Sequence, residues 1–140
     1  MTETLASWEP QARGLLRMIA AYMILLHGLR EVFGVMPPPK TGPASFMPLD
    51  SMGAAGGVFL LVWAALLFVG WLTTSAALIF AIQCLIAYFY ASAPRGAWPI
   101  RNGGIATLTY VLVFVYFAAA GAGAWSLDAR RGREKSAAAS

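Results

Sequence analysis

An all-α, four-transmembrane-helix bundle is the fold that the sequence predicts, on three observations. Hydrophobic residues make up 59% of the 140 residues and charged ones only 11%, too few polar side chains to clothe a soluble globule of this size. Residues 74–91 and 104–124 carry no charge at all. Apolar runs of about 18 to 21 residues, at about 1.5 Å per helical residue, match a bilayer hydrocarbon core of about 30 Å.

The first span is read over residues 14–33. Arg13 and Arg17 open it in the manner of a signal sequence, but its apolar run is long for that and no small-x-small cleavage site follows, so the segment is expected to be retained. The connection after it contains Pro37-Pro38-Pro39, which fixes φ, removes backbone donors and predicts an extended polyproline segment. The second span, residues 53–72, is apolar all round and holds no ionisable group, whereas a soluble bundle helix would carry a polar stripe. Gly53, Gly56 and Gly57 open it as a helix-packing patch with a Gly-x-x-x-Gly spacing. Bundling within the chain and homo-oligomer formation explain that spacing equally well.

The third span, residues 74–91, nearly abuts the second at Thr73, which requires a tight antiparallel hairpin. A short polar bridge, Pro94-Arg95-Gly96-Ala97-Trp98-Pro99-Ile100-Arg101-Asn102-Gly103-Gly104, leads to the fourth span, residues 104–124. Residues 1–129 therefore read as a single membrane domain. Residues 130–140, basic and then low in complexity through Ser136-Ala137-Ala138-Ala139-Ser140, read as a disordered cytoplasmic tail.

With four spans both termini share a side. That side collects Arg13, Arg17, Arg130, Arg131, Arg133 and Lys135, against Arg30, Lys40, Arg95 and Arg101 on the other, and retention of positive residues in the cytoplasm predicts both termini inside. Trp8, Trp71 and Trp125 then fall near the inner interface, Trp98 near the outer one, and Trp63 in mid-span as a packing residue. The net charge of +4 is a topology signal and a means of attraction to anionic lipid. No nucleic-acid partner is needed to account for it.

Cys84 is the single cysteine, so the chain forms no internal disulfide, no Cys-x-x-Cys redox pair and no cysteine-rich metal centre; it reads as a small buried hydrophobe. His27, Arg30 and Glu31 are the local clue to function. At i, i+3 and i+4 they share one helical face near the outer end of the first span, and ionisable groups at membrane depth normally pair or face protein or water. Antiparallel helices bring Arg95, Arg101 and Asn102 to the same side, which predicts an outward-opening polar pocket built from these six residues. Two readings stay open: the three residues of the first span anchor it at the interface, or they form a ligand or proton site. There is no second histidine for a metal pair, no Ser/His/Asp constellation, and no Walker lysine after Gly103-Gly104. An enzyme acting alone is the least supported class, since no nucleophile has its base and no cofactor signature appears.

Read together, Leu16-Arg17, His27-Gly28-x-Arg30, Phe33-Gly34, Gly56-Gly57, Pro94, Trp98-Pro99, Asn102-Gly103-Gly104, Tyr110, Gly121-x-Gly123 and Ser126-Leu127-Asp128 resemble the DoxX family of small four-helix bacterial membrane proteins. The family commonly has a Glu after Asn-Gly-Gly, where this chain has Ile105, and a basic residue after the second helix, where it has Thr73-Thr74. Glu31 is then the one carboxylate left to the expected pocket. The resemblance implies a multi-pass protein of the bacterial inner membrane. It implies an accessory or anchoring subunit of a membrane redox assembly, with a membrane or soluble oxidoreductase as partner and a quinone or sulfur compound as ligand. A small-solute or proton-handling membrane protein and a purely structural scaffold are the alternatives.

Overall fold

A computed structural model describes residues 6–33 and 52–138, and the chain is helical throughout the described residues except at its turns. Helix α1 spans Glu9–Phe33, α2 Met52–Val69, α3 Thr73–Ala87, α4 Pro99–Asn102, α5 Ile105–Ala120 and α6 Leu127–Ala138. A π-turn over Tyr88–Ser92 and a 3-10 turn over Ala93–Arg95 extend α3. The polyproline expectation for residues 37–39 lies outside the described residues.

Helices α1 and α2 pack along one another, as do α3 and α5. Their directions follow from which ends meet. Arg17, early in α1, reaches the last carbonyls of α2, while Gly28, late in α1, lies against Gly57 and Leu61 near the start of α2. In the second pair Phe80 stacks on Phe114 with ring centroids 5.0 Å apart, and Tyr88 lies against Gly104. Both pairs are therefore antiparallel. Alanines at Ala20, Ala21, Ala64, Ala76, Ala77 and Ala81 bring the backbones close, and Ile24, Leu60, Leu67, Phe80, Phe114 and Phe117 fill the space between. Outward, the helices show Ile19, Met23, Val62, Ile82, Ile86, Phe89 and Leu112, all exposed. A core of small residues beneath an apolar exterior reverses the pattern of a water-soluble bundle. Glu9–Arg30 and Thr73–Arg95 are long and apolar enough to cross a membrane, and Ala55–Val69 and Ile105–Ala120 are shorter apolar helices.

Several boundaries differ from the sequence reading, each for a local reason. The first helix begins at Glu9, five residues earlier, because Pro10 in its first turn has no amide hydrogen to lose and Glu9 pairs with Arg13 one turn on at 2.6 Å. The second ends at Val69 instead of residue 72, where Gly70 at φ 71° and Leu72 at φ 54° turn the chain into α3 within three residues. The third runs on to Arg95 because the π- and 3-10 turns keep the chain coiled up to Pro94. The fourth ends at Ala120 instead of residue 124, where Gly121 takes φ 78°. The tail expected to be disordered over 130–140 is instead helical through Ala138. Ser126 caps that helix, its Oγ accepting from the Ala129 amide at 3.1 Å, and Asp128 adds negative charge to its first turn.

Candidate functional site

A cavity of about 250 Å³ lies between α1, α2, α3 and α5, lined by Ile24, His27, Leu60, Gln83, Cys84, Ala87, Ala106, Thr107 and Tyr110. Its residues come from the late part of α1 and α3 and the early part of α2 and α5, so it occupies one end of the bundle. Its walls are mostly apolar, with four hydrogen-bonding side chains set among them. Tyr110 continues the Phe80–Phe114 stack at 5.9 Å from Phe114, which fixes its ring from the core side. His27 is exposed at the margin. Gln83 sits deeper, and its Oε1 is buried with no hydrogen-bond partner. An unsatisfied amide oxygen in an apolar interior is costly, and a donor supplied by a ligand would satisfy it.

Of the six residues expected to share a pocket, His27 alone among the described side chains lines this cavity. Asn102 is buried but fully engaged in shaping its own loop: Nδ2 donates to the Gly96 carbonyl and Oδ1 accepts from the Gly104 amide, both at 2.8 Å. Gly103 takes φ 73°, and a Cβ on Gly104 would meet the Tyr88 ring. Asn102-Gly103-Gly104 is thus a turn that lets the chain pass close to the π-turn of α3. Arg95 folds back on that turn, its Nε donating to the Ala91 carbonyl at 2.8 Å. Arg101 is exposed on α4, and Arg30 is half-buried in the last turn of α1. Glu31 lies in α1, with its side chain outside the described residues, so its expected convergence with His27 lies there too. Gly57 packs against Gly28 of α1, whereas Gly56 faces open space; the surroundings of Gly53 lie outside the described residues.

Gln83, Thr107 and Tyr110 are the lining residues that charge-based reasoning missed. Gln83 left a signal, as the single amide in a helix that carries no charge. Cys84, read as a small hydrophobe, is half-buried in the same wall. Among the described residues no three His, Cys, Asp or Glu side chains group as metal ligands.

The opposite end of the bundle holds a second polar centre. Arg17 is 0% exposed. Its Nε donates to the Ala122 carbonyl at 2.9 Å, its Nη1 to Leu67 and to Phe68, the latter at 2.6 Å, and its Nη2 to Trp125 at 3.2 Å. The guanidinium therefore closes the C-terminal end of α2 and the turn after α5 together, meeting carbonyls that have no helical partner. Arg13 donates to the Ala120 carbonyl one turn away. Asp128 completes the centre, its carboxylate accepting from the Leu72 and Thr73 amides at 3.1 and 2.8 Å at the start of α3. Arg13, Arg17 and Asp128 each bond backbone groups here, which makes this centre a structural clamp, although the buried Thr73 Oγ1 beside it has no hydrogen-bond partner.

A protein of Haemophilus influenzae, described only as uncharacterized, is 38% identical to the chain over 127 residues, covering 89% of this chain and 93% of that protein. No known family profile and no solved structure matches the chain.

Proposed function

The chain belongs to the same family as the Haemophilus influenzae protein, and on the resemblance of its sequence motifs to the DoxX family we propose that it is a DoxX-like integral membrane protein serving as an accessory or anchoring subunit of a membrane redox assembly. In this reading α1, α2, α3 and α5 are four spans and both termini are cytoplasmic. The apolar exterior and the antiparallel pairing support it.

The observation that carries the binding role is the cavity with its orphaned Gln83 Oε1. Its lining holds no Asp, Glu, Lys or Arg, so it suits a neutral molecule with a few polar atoms. A quinone head group fits that donor and acceptor set. The Tyr110 and Thr107 hydroxyls would donate to a ring carbonyl oxygen, and Gln83 Oε1 would accept from a ring hydroxyl in the reduced form. A bound quinone supplies two-electron redox chemistry, while the chain's own residues orient the ring and keep water from it. A small neutral sulfur compound is the other ligand this cavity accommodates. Ile105, in place of the family's common Glu, is half exposed at the start of α5, which leaves the site without a proton-carrying carboxylate from that position.

The test is binding of a short-chain ubiquinone analogue to the protein in lipid nanodiscs, read as quenching of tryptophan fluorescence. Saturable binding that Gln83→Leu and Tyr110→Phe weaken, with Asn102→Ala unaffected, is the expected result. Equal binding by all variants removes the cavity from the reading. A mild-detergent pull-down tests the assembly separately, and recovery of the chain with no oxidoreductase favours the small-solute alternative.

A further inference from the structure

At the clamp end a groove of about 650 Å³ opens between α1, the end of α2 and the start of α6. It is lined by the apolar side chains of Met18, Phe68 and Val69 and by Trp125, Arg130 and Arg133. The two arginines stand one turn apart on the same face of α6. Arg131 is directed elsewhere, its guanidinium carbon 5.3 Å from the centre of the Trp71 ring. Trp125 adds an independent observation. It is a non-glycine residue at φ 55°, held there while its carbonyl accepts from the buried Arg17, and its indole is left 64% exposed beside the groove. Side-chain-bearing residues occupy that backbone region at a cost and persist where the surroundings impose it.

We infer that this groove binds one anionic glycerophospholipid, with Arg130 and Arg133 on its phosphate, Trp125 at the glycerol level and an acyl chain along Met18, Phe68 and Val69. The guanidinium fork matches phosphate oxygens, an indole prefers the boundary between headgroup and hydrocarbon, and the apolar lining gives an acyl chain a surface that a free ion would leave bare. The two positive charges select a lipid with net negative charge over a zwitterionic one of the same chains. The inference rests on the proposed membrane insertion but is independent of the quinone cavity.

Native mass spectrometry of the full chain, released from detergent after equilibration with phosphatidylglycerol or with phosphatidylcholine of identical chains, tests it. One retained phosphatidylglycerol per chain is expected, with retention lowered about tenfold or more in the Arg130→Gln/Arg133→Gln double variant. An Arg95→Gln/Arg101→Gln double variant, which loses the same charge at the other end, should keep it. Excess inorganic phosphate should not displace the lipid. Equal retention of both lipids, equal loss in both double variants, or displacement by phosphate would each overturn the assignment. Extraction of the chain from membranes by alkaline wash without detergent would overturn the membrane reading instead, which keeps the two failures distinct.

Discussion

Arg17 Nε donates to the Ala122 carbonyl oxygen at 2.9 Å, joining the first helix to the turn after the fifth across 105 residues of chain. The same guanidinium also holds the Leu67, Phe68 and Trp125 carbonyls; Leu67 keeps the Gly70 amide, but removal of Arg17 takes this donor from the Phe68, Ala122 and Trp125 carbonyls. Arg17→Met should destabilise the fold by on the order of 3 kcal/mol or more. Arg17→Lys should fall between, because a single ammonium cannot span carbonyls on two elements as a planar fork does. Cys84, the lone cysteine and half-buried, serves as the reporter: its labelling by a fluorogenic maleimide during heating should shift to lower temperature in that order.

Asp128 supplies both carboxylate oxygens to the first amides of α3. Replacing it with Ala should cost about 0.5–2 kcal/mol, the range for loss of a helix N-cap acceptor. Asn keeps one acceptor and should retain part of that. The same Cys84 melting curve distinguishes the three proteins, and identical curves would remove Asp128 from the clamp.

Two glycines inside helices should respond in opposite directions to the same change. A Cβ at Gly14 would lie 2.5 Å from the Ala124 carbonyl oxygen, a backbone atom that cannot move aside, whereas Gly56 has nothing within 4 Å. Gly14→Ala should therefore lower the melting temperature. Gly56→Ala should raise it slightly, by the gain of about 0.5–1 kcal/mol that Ala brings to a helix interior. A loss at Gly56 comparable to that at Gly14 would mean that α2 packs against another copy there.

Asn102→Ala should destabilise without altering ligand binding, because its amide bonds go to Gly96 and Gly104 and not to the cavity. About 1–3 kcal/mol is expected from the buried groups left unpaired. Arg101→Ala, on the exposed side of the same short helix, should be silent in the melt.

Orientation is read by single cysteines at Ser45 and Ser136 in a Cys84→Ala background. Ser45 lies outside the described residues, and Ser136 lies in α6. An impermeant thiol reagent on whole cells should label position 45 and spare position 136. The reverse pattern would place the termini outside.

The sequence by itself determined that the chain is helical and that its long runs, the second span most of all, are apolar, because hydropathy and the absence of breakers are local properties. It also marked the hairpin at Thr73 and the entry turn at Gly103-Gly104. Tertiary structure alone decided what the polar residues do. Arg17 counted as one more cytoplasmic charge until folding delivered four carbonyls to it from two other elements. Asn102 shared a side with His27, yet its amide found nearer partners two and six residues away in its own loop. Gln83 and Tyr110 carry no charge and so no topological signal, and they came to line one cavity only when α3 and α5 packed with a void between them and α1. A polar group's role is set by whichever complementary atoms the fold brings within about 3 Å, and that proximity is not written in the order of the chain.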